Sequence, residues 1–196
     1  MRSPGPTMTI ASVIWWLTLV AWTAAIIAPA ATAMSAFTSL PTMDLTTDRI
    51  ESFFGDDTEA AGRFIAGYVT HPVFQASDRV QTGCAVVGIV LLFLRRGAPV
   101  GRLKSISRRF ATATMLLAAA LLGWYLVGIS PRVESTLEAW RSAVEAGDRD
   151  AATEAYAAFD PWHRSAERGM SLILAAVLLT IVSSGIGSTP PRSGAR

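Results

Sequence analysis

The sequence predicts an all-α membrane protein: a four-transmembrane-helix bundle with short amphipathic helices in two extracytoplasmic segments. Three observations carry that reading. Charged residues make up only 16% of the 196 residues, against about 25% in ordinary soluble domains. The charges are gathered in blocks, which leaves four long apolar runs with none. The blocks also differ in sign from one side of a run to the other, as charge does across a membrane. The whole chain, 1–196, reads as one integral membrane domain with spans at about 9–36, 72–95, 110–130 and 161–187. A disordered chain and a disulfide scaffold are excluded by composition, since there is a single cysteine, Cys84.

The first run lies in the uncharged stretch between Arg2 and Asp44, with its apolar part from Ile10 to Ala36. That is long enough for a bilayer core, which takes roughly 20 helical residues. Ala31-Thr32-Ala33 resembles a signal-peptide cleavage site. The apolar stretch Ile10–Ile27 exceeds the roughly 7–15 residues of a signal core, so the span is expected to stay uncleaved. The second run, Val80–Leu94, is short. It crosses only if its helix starts at Pro72, a favourable first helical residue. The third run is Phe110–Ile129, ended by Ser130-Pro131, and the fourth is Gly169–Gly187. Lipid offers no hydrogen bonds to the backbone, so each run must be helical. Helices of a soluble bundle would carry a polar face, and these four carry none.

Sidedness follows from charge. The short loop 95–109 holds Arg95, Arg96, Arg102, Lys104, Arg108 and Arg109 and no acid, which places it in the cytoplasm. Between Asp44 and Arg79 seven acids face three arginines, and between Arg132 and Arg168 eight acids face five. Segments 37–71 and 131–160 are therefore extracytoplasmic. Arg2, Arg192 and Arg196 put both termini inside. The bilayer is read as a bacterial inner membrane. Beside two spans, the basic loop is expected to meet anionic lipid headgroups and not nucleic acid.

The outer segments carry their own periodicity. Thr58 is expected to cap a short helix through Tyr68, with Ala61, Phe64, Ile65 and Tyr68 on one face, and Thr70-His71-Pro72 to break it. Val133, Leu137, Trp140 and Val144 form an apolar stripe on a continuation of the third helix, kinked at Pro131 and ended by Gly147. Asp148 or Asp150 would cap a short helix Ala151–Phe159, and Asp160-Pro161 would then start the fourth span. The stripes are expected to pack on each other or lie at the headgroups, with Trp140 as an anchor. His71-Pro72 and Pro161-Trp162-His163 punctuate the two even spans alike, a weak two-fold pattern.

Chemistry is sparse. The two histidines, His71 and His163, fall near the outer interface. His163 and Glu167 sit i, i+4 on one helical face, and Asp78 could approach them. These four residues are the candidates for an interfacial polar, metal or proton site, although a solvated pair is the plainer expectation. No HExxH, CxxC or phosphate-binding loop occurs, so neither a catalytic residue nor a cofactor is expected. Cys84 reads as a small apolar residue and Gly83–Gly88 as a site of close helix packing. Thr18, Thr23, Thr112, Thr114, Ser171 and Thr180 are expected to hydrogen-bond between helices, and Trp22 to pack inside. No ionisable residue lies in the central part of any run, which argues against a proton-coupled carrier made by one copy.

Three stretches together resemble the transmembrane protein 205-like family, also known as domain of unknown function 4149. They are Ile26-Ile27-Ala28-Pro29 with Phe37 and Pro41; Ala61-Gly62-Arg63-Phe64-Ile65 with Tyr68 and Phe74; and Tyr125 to Val133 followed by Phe159-Asp160-Pro161-Trp162-His163-Arg164. Their order and spacing cover about residues 10–185. Where that family commonly carries a Ser three residues after the His and an Asn further on, this chain has Ala166 and Met170. The resemblance implies a four-helix integral membrane protein and supplies no catalytic residues.

The expected function is that of a non-enzymatic structural or accessory envelope protein, with the lipid bilayer as its partner and a homo-oligomer or another membrane protein as a possible second one. Two alternatives stand beside it. One is a subunit of an oligomeric transporter or channel, for which Ala119 to Gly123 offers small-residue helix contact. The other is a metal-binding protein or enzyme using His163, Glu167, His71 and Asp78. A continuous polar cavity between helices would favour the transporter, a tightly packed bundle with no cavity the structural or accessory protein, and convergence of the four residues the metal site.

Overall fold

The computed structural model describes residues 6–43, 48–94 and 102–188. Asp44, Arg95, Arg96 and the arginines of the two termini lie outside them. The described elements are all helical: α1 Pro6–Ser39, a 3-10 turn Leu40–Thr42, α2 Asp48–Phe54, α3 Thr58–Leu94, α4 Arg102–Trp124, a π turn Tyr125–Ile129, α5 Ser130–Ala146 and α6 Arg149–Ser188. Four helical rods are long and apolar enough to cross a membrane, and α4, the π turn and α5 together make one of them. At about 1.5 Å per residue, α3 and α6 are about 55 and 60 Å long, nearly twice the roughly 30 Å of a bilayer's hydrocarbon core. Their charged, N-terminal parts therefore stand outside the spanning segments.

The bundle is built from two pairs of rods. α1 packs chiefly along α3, and α4 and α5 along α6. Trp15, Leu19 and Trp22 of α1 are fully buried with Met115, Ile173 and Val177 from the other pair. The outer faces are apolar too: Leu17, Val20, Val86, Val90, Leu117 and Val182 are all largely exposed. Water tolerates no continuous apolar girdle of this kind, whereas lipid covers it without cost.

The two expected helix breaks do not occur. Pro72 lies inside α3 and Pro161 inside α6, so the short outer helices 58–68 and 151–159 are the first turns of the second and fourth rods. Proline removes one backbone donor and crowds the carbonyl four residues earlier. Here those carbonyls belong to Tyr68 and Ala157, both exposed, so water can take the place of the missing donor. Pro29 in α1 is different, because it is buried. The carbonyl it leaves open is that of Ala25, which accepts the Ser77 hydroxyl of α3 at 2.6 Å. A proline defect in one helix is thus closed by a side chain of its neighbour.

The caps also shift. Asp57, not Thr58, caps α3, its carboxylate accepting the Ala60 N–H at 2.9 Å. Asp148 caps α6 through the Ala151 N–H at 3.0 Å. Gly147 ends α5 as expected, with φ of 74°. Pro131 does more than kink the third rod. Upstream of it the Ser130 N–H donates to the Tyr125 carbonyl, an i→i+5 bond, and the helix widens into the π turn. The widening relieves the clash that the proline ring would make with Val127.

Outside the spans, α2, α5 and the first turns of α3 and α6 form a second, smaller core. Phe64, Val144 and Ala152 are buried in it, with Phe53, Phe54 and Trp140 packed around them. The Val133–Val144 stripe therefore packs against protein. Gly62 is required there: a Cβ on it would lie 2.4 Å from the Pro41 Cα, so the turn after α1 sits directly on α3.

Candidate functional site

The two pairs of rods meet closely through the middle of the bundle and part at the end that carries α2 and the first turns of α3 and α6. The gap is a cavity of about 1080 Å³, bounded by the outer part of α1, by α3, by the π turn with α5, and by α6. All four residues singled out from sequence, His71, Asp78, His163 and Glu167, line it. Its walls are mostly apolar and aromatic. Ile27, Met34, Phe37 and Phe74, each more than a third exposed, form one side, so the cavity opens laterally where α1 departs from the bundle. Trp140, Tyr156 and Phe159 form the opposite side. Trp140 and Phe159 are stacked with ring centroids 6.1 Å apart, and Phe159 stacks on His163 at 5.2 Å.

The floor is polar and was not read from sequence. Gln81 is fully buried; its Oε1 accepts the Trp22 indole N–H at 3.3 Å, and its Nε2 donates to Ser77 Oγ at 3.0 Å. Ser77 in turn donates to the Ala25 carbonyl, so α1 and α3 are joined by a chain of hydrogen bonds under the cavity. The Met170 sulfur approaches the same amide at 3.7 Å. A signal for Gln81 existed: it is the one amide in the run Val80–Leu94, and a polar group in a span marks either a helix link or a site. Below it Met115, Leu122, Ile173 and Val177 close the bundle with apolar packing.

The sequence candidates divide. His163 and Glu167 form the expected i, i+4 pair, Nε2 to Oε1 3.3 Å. His71 belongs to a different set. Gln75 Nε2 lies 3.1 Å from His71 Nε2 and 3.4 Å from Glu134 Oε1, and so ties α3 to α5. An amide nitrogen only donates, so this arrangement requires His71 to be neutral, with its proton on Nδ1. Burial, and then the charge of Arg141, hold its pKa below the ordinary 6.5 in agreement. Arg141 is itself buried, with its guanidinium 4.1 Å from the centroid of the Tyr68 ring and donating to the Gly67 carbonyl at 3.0 Å. The Tyr68 hydroxyl donates to Glu145; burial and that bond push its pKa up to about 12.

Among the described residues no group of three or more His, Cys, Asp or Glu gathers to hold a metal ion. The four candidates share a cavity without converging on one point. Cys84 is buried in the bundle core, away from the cavity lining. Of the six hydroxyl residues expected to link helices, Thr114 and Thr180 do so, 2.8 Å apart. Thr18, Thr23, Thr112 and Ser171 instead bond carbonyls of their own helix.

Asp78 stands out electrostatically. Among the described residues its carboxylate has no hydrogen-bond or ion-pair partner, and Glu134, across the cavity on α5, is close enough for the two charges to interact. Nearby arginines are engaged elsewhere: Arg63 with Glu59, Arg164 with Asp160, Arg132 over Trp162, and Arg141 as above. No family model, curated protein or solved structure matches this chain.

Proposed function

We propose that this chain is a multi-pass integral membrane protein of the transmembrane protein 205-like kind, non-enzymatic, whose outer cavity receives an apolar or amphiphilic molecule from the surrounding lipid. One observation carries the reading: the cavity of about 1080 Å³, apolar-walled and laterally open between α1 and the rest of the bundle. That volume suits a drug-sized or lipid-derived guest, since ligand sites commonly enclose about 300–1,000 Å³. Ala166 and Met170, the two positions at which the family resemblance fails, both line this space. An accessory role in the envelope is then a binding role and not a purely structural one. The oligomeric transporter remains the second reading, favoured by the same cavity. A through-path in one copy would have to pass the packed layer of Met115, Leu122, Ile173 and Val177.

The test uses the full chain in neutral maltoside micelles and a photoreactive long-chain alcohol as probe. Saturable labelling of cavity-lining peptides, lost when Ala166→Trp fills the space, is the expected result. Labelling spread evenly over the lipid-facing girdle, unchanged in that variant, would overturn the reading.

A further inference from the structure

The cavity is not neutral. Asp78 of α3 and Glu134 of α5 both line it, and their like charges are close enough to interact, Glu134 being held by Gln75 one turn from Asp78. Glu167 lies on its third side, on α6. Gln75 donates to Glu134 and His163 pairs with Glu167, but no arginine or lysine among the described residues bridges Asp78 to Glu134. Two like charges close together near low-dielectric walls cost free energy that a cation placed between them removes.

Resting on the cavity reading above, we infer that the guest is an amphiphile with a cationic, ammonium-type head: its head sits between Asp78 and Glu134 at the inner end of the cavity, and its apolar tail lies against Ile27 of α1 and Phe74 of α3 at the lateral mouth. The lateral mouth explains how a tail enters. An anionic amphiphile of equal chain length would meet the same acids and be rejected.

Two photoreactive probes with the same diazirine-bearing alkyl chain separate the possibilities, one ending in trimethylammonium and one in sulfate. The full chain in maltoside micelles is labelled with each, and dodecyltrimethylammonium is the competitor. The cationic probe is expected to label cavity peptides about tenfold more strongly than the sulfate, a ratio set by one favourable charge contact at a partly screened site. The double variant Asp78→Asn, Glu134→Gln, nearly isosteric, should bring that ratio to about one while keeping the helical circular dichroism and the elution volume of the parent. Equal labelling by both probes in the parent, with loss of both in Ala166→Trp, would overturn the cationic head and leave the cavity reading intact. Failure of both probes to label the cavity would remove both readings. A ratio that survives the double variant would also refute the assignment, because the preference would then come from elsewhere.

Discussion

Single residues here act by completing one another's hydrogen bonds. Pro29 removes the donor that Ala25 would have used, and Ser77 supplies it from the next helix. Ser77→Ala is expected to destabilise the bundle by about 1–3 kcal/mol, the cost of leaving a buried polar group unpaired. The same change made on top of Pro29→Ala should cost much less, since residue 29 then donates to Ala25 itself. Thermal unfolding of the four proteins of this cycle in one detergent checks it, and additive effects would refute the coupling. His71 gives a pH dependence. Its folded pKa lies below the ordinary 6.5, so the unfolded chain binds the extra proton first as pH falls. The neutral-His71 contribution to stability is therefore complete above about 6.5 and is lost as pH drops below it. The protonated ring would turn an N–H toward Gln75 and break the link to Glu134. The unfolding temperature is expected to fall more between pH 7.5 and 5.5 in the parent than in His71→Gln. Neither dependence is visible in sequence, because each needs a partner at least four residues away whose facing is set by packing.

At the scale of elements, the defects decide the shape. The π turn Tyr125–Ile129 inserts an i→i+5 step just before α5, so α5 leaves the membrane in a rotated phase relative to α4. That phase puts Glu134 opposite Gln75 and Glu145 opposite Tyr68. Pro131→Ala restores the missing donor and is expected to return the turn to α-helical register, turning α5 away from α3. A short thiol-to-thiol crosslinker between Gln75→Cys and Glu134→Cys, in a Cys84→Ser background, should join the parent helices and fail in the Pro131→Ala version. Crosslinking that persists would show that the π turn has another cause. Gly62 sets how closely the turn after α1 packs on α3. Gly62→Ala would drive a Cβ into backbone at Pro41, which cannot yield as a side chain does. The expected cost is about 1–3 kcal/mol of stability, typical of overpacking, with the outer end of α1 displaced. Pro72 and Pro161, expected as breaks, are interior helix positions, and the carbonyls they leave without a donor belong to exposed residues that water can reach.

For the whole molecule, membrane insertion rests on four rods with apolar outer faces, and orientation rests on charge. Val100→Cys is expected to resist a membrane-impermeant thiol reagent applied to intact cells, and Asp150→Cys to react with it, both in a Cys84→Ser background. Reaction at position 100 from outside would invert the topology and move the cavity mouth to the inner leaflet. The cavity itself arises because the bundle is two pairs, α1 with α3 and α4–α5 with α6, that are sealed by Trp15, Trp22 and Met115 in the middle and spread at the end that carries α2.

What the sequence by itself determined is the class and the count: an all-helical chain with four apolar rods. These follow from local properties, run length and charge, which need no knowledge of contacts. It also named His71, Asp78, His163 and Glu167, because rare ionisable groups beside a span are conspicuous. Only the tertiary structure decided that these residues border one cavity, that Gln81, Ser77 and Trp22 form its floor, and that Asp78 and Glu134 both line it, close enough for their like charges to interact. The physical reason is that facing is a property of two surfaces. Helical phase past Pro131, the depth at which α1 crosses α3, and the closing of one helix's defect by another's side chain are all fixed by packing between segments far apart in the chain.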